Sequence, residues 1–540
     1  MNTLRLLYLS LWAGITWAAS FHEPYRPQFH FSPTKNWMND PNGLLYHDGT
    51  YHLFFQHNPY GIQDGNISWG HATSHDLMHW EHQPIALLAR GYPQNVTEMI
   101  FTGSAVADTN NTSGLGVDGK IPLIAIYTSA YQYAQDLPSG KSVKANQQSQ
   151  SLAYSLDDGK TWSYYDALNP IIETPAAPYE DQWQNFRDPF AFWHDETQKW
   201  ILVTALSDIH KLMIWTSDNL IDWTVASEFG PVNAVGGVWE CPNLFPLPFK
   251  ADKTGSKWVL VVGLNPGGPP GTVGSGTQYF IGDFNGTAFV PDADSAYPGN
   301  ETANWMDWGP DWYAATAWNG LPEDDHVQLG WMNNWQYGSK IPTNPWRGAM
   351  AFPRHLSLKQ DGEKAILLQW PHQNITELRG KERFRRSWSS LRNGVQDLGP
   401  QERLLDIELA FADQGKTTSG TSEAGIIVRA TSDLKTQTRI GYDFDKKLMF
   451  VDRTKSGITD IDKTFPTIYH APLTPDEHGI IKLRILLDWA GVEVFGGEGE
   501  STLTAQIFPF ANATHVQVFS KDGSTDDVSL KISELTSIWS

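Results

Sequence analysis

Three carboxylates sit in short motifs able to carry chemistry: Asp40 in Asn39-Asp40-Pro41-Asn42, Asp188 in Arg187-Asp188-Pro189, and Glu240 in Trp239-Glu240-Cys241-Pro242. Hydrolysis of a glycosidic bond commonly uses two such groups. One attacks or activates water, the other protonates the leaving oxygen, and a third polar group can hold sugar hydroxyls. Singly, an Asp beside Asn or Pro is more often a turn-capping residue. Three of them opening comparable strand units shift the reading toward one site. Arg187 next to Asp188 predicts a carboxylate held ionised for hydroxyl binding. Trp239 and Cys241 around Glu240 predict the apolar company that suits an acid.

The elements that must position these groups are strands. Short Val/Ile/Tyr/Phe/Trp runs broken by Gly, Asn and Asp fill the chain, with few stretches at helical spacing, so the fold class is all-β. Gly43 to Tyr46, His47-Asp48-Gly49-Thr50 and Tyr51 to Gln56 read as a hairpin closed by Asp-Gly. A turn recurs as Ser74 to Trp80, Ser155 to Trp162 and Ser217 to Trp223, and in variant form as Gly282 to Phe289. Units of a few antiparallel strands recurring in this way predict propeller blades.

Five strand starts follow: Asn39-Asp40-Pro41-Asn42, Phe101-Thr102-Gly103-Ser104, Arg187-Asp188-Pro189, Trp239-Glu240-Cys241-Pro242, and Asp307-Trp308-Gly309-Pro310-Asp311. A five-bladed β-propeller would gather them at one funnel, because the opening strand of each blade lines the central channel. The pattern stops after Trp370-Pro371-His372. The expected organisation is a signal peptide over 1–19, a propeller over 20–372, a linker over 373–386, and a C-terminal β-sandwich over 387–540.

Composition narrows the partners. A net charge of -21 on 540 residues argues against nucleic acid or an anionic membrane. A neutral polymer is not repelled. Arg5 followed by the apolar run Leu6 to Trp17 and the small residues Ala18, Ala19 and Ser20 predicts secretion to the extracellular medium. Sequons at Asn66, Asn95, Asn110, Asn111, Asn285, Asn300, Asn374 and Asn512 fit a glycosylating route. Cys241 is the one cysteine, so no intramolecular disulfide can form. It reads equally as a buried small hydrophobe or as a group with a local role beside Glu240. His71, His75, His79 and His82 lack a metal-ligand pattern and are read as a solvated outer hairpin. The glycine-rich stretch Gly263 to Gly276 has no following helix or Lys and is read as a loop near the site. The Trp residues closing the hairpins read as blade packing.

These motifs resemble glycoside hydrolase family 32, the invertases, inulinases and levanases, over almost the whole mature chain. Trp37-Met38-Asn39-Asp40-Pro41-Asn42-Gly43 resembles the family's nucleophile motif, Arg187-Asp188-Pro189 its transition-state stabiliser, and Trp239-Glu240-Cys241-Pro242 its acid/base motif. Trp331 to Tyr337, Asn265 to Gln278 and Glu493 to Gly497 are most similar to the fungal exo-inulinases within it. The resemblance implies a propeller with a sandwich, no cofactor, no metal, and a retaining double displacement on terminal β-fructofuranosyl residues of inulin, levan or sucrose. Asp40 would attack the anomeric carbon and Glu240 serve as acid and then base, with the two carboxyls about 5 to 5.5 Å apart. Asn39, Gln56, Phe101, Thr102, Arg187 and Trp335 are implied as contacts to the terminal fructose. Two positions depart from the family pattern: Asp64 stands where a Trp is usual and Thr102 where Ser is usual, so substrate preference is expected to differ. The competing readings are a fructosyltransferase making fructo-oligosaccharides from sucrose, an inverting family 43 enzyme, and a non-catalytic carbohydrate-binding propeller.

Overall fold

The computed structural model describes residues 21–251, 255–297, 302–322, 325–413 and 420–539. The expected signal peptide and the Asn300 sequon lie outside them. Five sheets come first in the chain, antiparallel except where Asn36–His47 pairs in parallel with Trp346–Arg347. They are opened by the strands Asn36–His47, Glu98–Ala107, Phe186–His194, Val238–Pro248 and Tyr313–Ala317. Each opening strand lies against the next, and the fifth closes on the first. The sheets therefore form a β-propeller around a central channel.

Burial follows position in the sheet. The second strand Leu123–Tyr131 is buried along its whole length because neighbouring sheets cover both its faces. The outermost strand Glu81–Leu87 is mostly open to solvent. The repeated Ser-to-Trp turns join the third strand to the fourth. In each, the indole N–H of Trp80, Trp162 or Trp223 donates to a backbone carbonyl three residues earlier, Leu77, Gly159 or Leu220, at 3.0 Å. These Trp residues thus close turns. Because strands alternate in direction, these turns lie at one end of the channel. The loops between second and third strands, and those between sheets, lie at the other.

All five opening strands break register at the same place. The irregularities fall between Asn39 and Pro41, Phe101 and Gly103, Arg187 and Phe190, Glu240 and Asn243, and Tyr313 and Thr316. Each is a β-bulge near the strand start, which bends the strand and re-aims a side chain. Pro41, Pro189 and Pro242 lie at three of them, as expected of a residue with no N–H for a ladder.

Two six-stranded sheets stacked over one apolar core form the sandwich. The linker expected over 373–386 is shorter. Gln373–Leu378 makes one 3-10 turn, and Arg379–Leu391 already pairs in the sandwich, because its alternating residues find a partner strand in Thr525–Leu535. The fifth opening also differs from expectation. Its strand begins at Tyr313, and Asp307 and Asp311 face the sandwich instead of the funnel. Asp307 pairs with Arg354 at 2.9 Å and accepts from Thr504 N. Asp311 pairs with Arg453 at 2.8 Å and accepts from Tyr337 Oη. Glu493 completes the interface between Arg354 and His30.

Candidate active site

The bulge residues of the five opening strands are Asp40, Thr102, Asp188, Cys241 and Ala314, and they meet at the channel axis. Thr102 Oγ1 lies 3.5 Å from Asp40 Oδ2. The Cys241 thiol lies 3.9 Å from Asp40 Oδ2 and 3.8 Å from Asp188 Oδ2, while its backbone N–H donates to Asp188 Oδ2 at 2.9 Å. Asp188 and Cys241 hold left-handed φ values of 60° and 50°. That conformation costs a non-glycine residue about 1 kcal/mol or more and is kept at sites that need a particular aim. Beneath the bulges, Pro41, Thr102, Asp188, Cys241 and Thr316 line a void of about 10 Å³, room for roughly one water. The channel is therefore nearly filled just under the carboxylates.

Glu240 precedes the fourth bulge and is gripped on both oxygens. Arg187 donates to Oε1 from Nε at 3.2 Å and Nη2 at 2.9 Å, and Tyr313 Oη donates to Oε2. Asn185 Oδ1 at 2.8 Å and Gln148 Oε1 at 3.3 Å steady the same guanidinium from its Nη1. Arg187 also approaches Asp188, at 3.8 Å, and its charge pulls that carboxyl down as expected, although the carboxylate it hydrogen-bonds is that of Glu240. The side chain reaches across the site because successive strand residues point to opposite faces. For the same reason Trp239 is fully buried and Glu240 is not in apolar company. The Glu240 side chain is 20% exposed against 5% for Asp188, so it is the more accessible of the two.

Burial, partly offset by an Asn39 hydrogen bond, together with the neighbouring Glu240 and Asp188 charges, pushes Asp40 up to about 7. Burial likewise raises Asp188 to about 6, against the pull of Arg187. Burial holds the Cys241 thiol far above its ordinary range, so it stays protonated. One cation against three carboxyls makes the cluster retain protons that isolated carboxyls would release.

The other predicted residues fall around this cluster. Asn39 accepts from Trp37 Nε1 at 2.7 Å and pairs in register with Gln56, whose amide donates to Ile100 O at 3.2 Å. Phe101 and Trp335 pack on the apolar patch of Trp37, Cys241 and Trp331. The loop over 263–276 reaches Trp335, whose N–H donates to Ser275 Oγ at 3.4 Å. Asp64 is solvent-exposed, while desolvation by the protein around it raises its carboxyl above the usual range. Its loop is tied to the first opening strand by Trp37 N donating to Gly61 O at 2.9 Å. The histidines divide: His75 and His79 sit on the outer turn, but His71 is buried against His52 at 3.1 Å, contrary to the solvated reading. Nearly every residue of its strand, Ser68–Ser74, is buried.

Residues 30–371 match the model of the glycosyl hydrolases family 32 N-terminal domain, and residues 374–534 match that of the family 32 C-terminal domain. The chain belongs to glycosyl hydrolase family 32. Within that family it is 58% identical to an extracellular exo-inulinase of Aspergillus awamori, over 99% of both chains. It is 40% identical to a levanase of Bacillus subtilis, over 99% of this chain and 74% of the levanase. The crystal structure of the A. awamori exo-inulinase superposes with a TM-score of 0.94, covering 96% of this chain and 100% of the other. These relatives share the propeller and sandwich, as the sequence led one to expect.

Sequence reasoning missed Tyr313, Asn185 and Gln148. Tyr313 is the residue just before the fifth bulge and so occupies the place that Glu240 holds before the fourth. Aligning strand starts by bulge instead of by acidic residues would have found it.

Proposed function

We propose that this family 32 chain is a secreted, retaining exo-β-fructosidase, releasing terminal fructose from fructans such as inulin and levan and from sucrose. The observation that carries the reading is the gathering of Asp40, Asp188 and Glu240 around Cys241 at the channel axis. The closed floor beneath them stops a chain from threading the channel, and attack at a chain end is supported by the identity to an extracellular exo-inulinase. The high identity to extracellular exo-inulinases supports the same substrate class and compartment.

In this reading, Asp40 carboxylate attacks the anomeric carbon of the terminal fructose. The glycosidic C–O bond breaks, and its electrons pass to the leaving oxygen, which takes the Glu240 proton. The fructosyl ester on Asp40 is then attacked by water, whose proton returns to Glu240, and Asp40 leaves as carboxylate. The proton retained by the crowded cluster serves the first step when it resides on Glu240 and leaves Asp40 charged. Asp188, fixed by the Cys241 N–H, accepts hydrogen bonds from sugar hydroxyls. Thr102, Asn39 and Gln56 supply polar contacts, and Phe101 and Trp335 an apolar wall.

Time-resolved product analysis on inulin, levan and sucrose tests the reading. Fructose as the sole early product from inulin is expected. An early ladder of oligomers would point to endo attack, and accumulating trisaccharide from sucrose to transfer. Asp64 stands on the loop that Gly61 ties to the first opening strand, and Asp64→Trp is expected to change the ratio of inulin to sucrose hydrolysis.

A further inference from the structure

Tyr60 and Tyr92 lie face to face, ring centroids 3.3 Å apart and planes 7° from parallel. Tyr60 is 45% exposed, although neither ring is part of any apolar core cluster among the described residues. Burial in the propeller does not explain a stacked pair held at the surface. Its place in the fold does. Tyr60 follows the second strand of the first sheet, and Tyr92 lies in the connection from the first sheet to the second. Both segments are at the end of the channel where the carboxylates open.

Hydrogen bonds fix these loops to the strands of the site. Tyr60 N donates to Asn58 Oδ1 at 3.0 Å. The next residue, Gly61, accepts from the N–H of Trp37, three residues before Asp40. At the other end of the same loop, Ile67 O accepts from Ile100 N, next to Phe101 and Thr102. On the Tyr92 side, Arg90 N and Glu98 O join across the loop at 2.9 Å. The pair is thus set on the rim by the backbone that positions Asp40 and Thr102. Gln63 and Asn95 are exposed neutral polar residues on the same two loops.

We propose that the stacked Tyr60 and Tyr92 rings form a binding platform for the fructan chain behind its terminal residue. A sugar ring offers C–H bonds to an aromatic face and hydroxyls to neutral polar neighbours, and one face of Tyr60 is covered by Tyr92 while the remainder is open. A disaccharide bound at the carboxylates is too short to need such a rim, whereas a polymer must cross it. The platform deepens the exo-fructosidase reading and depends on it. It assigns to this pair a part of the preference for polymer over sucrose.

Steady-state kinetics of Tyr60→Ala, Tyr92→Ala and Tyr60→Phe on inulin and on sucrose test it. For Tyr60→Ala, KM for inulin is expected to rise about fivefold, the scale of one lost ring contact, with kcat and all sucrose constants unchanged. Tyr60→Phe, which keeps the ring, should retain the parent KM. Equal changes on both substrates, or parent KM for inulin in both alanine variants, would overturn the platform while leaving the fructosidase reading intact. Absence of hydrolysis of either substrate by the parent enzyme would overturn that reading instead. Asn95 is a sequon whose Oδ1 accepts from Tyr133 Oη at 3.2 Å, so the kinetics are repeated after enzymatic removal of N-glycans. Persistence of the inulin effect supports the fructan chain as occupant. Its disappearance would assign the rings to the protein's own glycan and overturn the proposal.

Discussion

Arg187 donates two hydrogen bonds to a single carboxylate oxygen of Glu240, from Nε at 3.2 Å and from Nη2 at 2.9 Å. The other oxygen takes the Tyr313 hydroxyl. Glu240 is therefore aimed by two neighbouring strands, and its motion toward or away from a leaving oxygen is limited by groups that sequence adjacency does not connect to it.

Arg187→Lys keeps the charge and loses the fork that reaches Oε1, Asn185 and Gln148 together. The expected result is a fall in kcat on sucrose of about a hundredfold with a smaller change in KM, the scale of losing one oriented donor in a closed site. A variant with parent kcat would show that the grip on Glu240 is dispensable.

Tyr313→Phe removes a hydroxyl and little volume, leaving Glu240 Oε2 with one donor fewer. Steady-state assays on sucrose should show kcat reduced by about tenfold, equivalent to roughly 1.4 kcal/mol, as for a hydrogen bond to a charged group.

Asp40 is held at about 7 in the folded chain, above its ordinary range. Between about pH 4 and pH 7 the native state keeps a proton that the unfolded chain has released, so this group's contribution to stability declines as pH rises through that window. Asp40→Asn cannot ionise. It is expected to be inactive yet more stable than the parent at pH 7.5, by about 4 kcal/mol, with the gain gone below about pH 4. Paired denaturant titrations at the two pH values measure it.

How far these features could be read from sequence depends on what each one rests on. The carboxylate motifs and the Ser-to-Trp turns were legible because local chemistry causes them: an Asx or Ser side chain caps its own turn, and a Trp closes it. The bulges were not read, although Pro41, Pro189 and Pro242 on opening strands each argue against a regular ladder. Without them the distinction between Asp188 on a bulge and Glu240 before one was lost, and the hydrogen bonds of Arg187 to Glu240 went unseen. Asp307 and Asp311 looked like a fifth acidic opening, but their partners Arg354, Thr504 and Arg453 lie tens of residues or more away along the chain. Long-range ion pairs leave no periodic trace.

The same holds for His30, which bonds Asp488 at 2.8 Å and Glu493 at 3.0 Å where the N-terminal segment meets the sandwich. Burial acts to lower its pKa, but the two carboxylates outweigh burial and raise it to about 9. Raised above the unfolded value, it contributes stability that is complete below about pH 6.5 and lost as pH rises through 9. Thermal melts from pH 6 to pH 10 should show that loss in the parent and not in His30→Gln, which should already be less stable at pH 6 by about 3 kcal/mol.

The most direct test of the site is to give Glu240→Gln a β-fructofuranoside whose activated leaving group departs without an acid. The intermediate then forms but its release lacks a base, and an acid quench followed by peptide mapping by mass spectrometry locates it. A fructosyl ester is expected on Asp40 and on no other residue. An adduct on Asp188, or no adduct together with inverted product, would contradict the assignment of Asp40 as the attacking group.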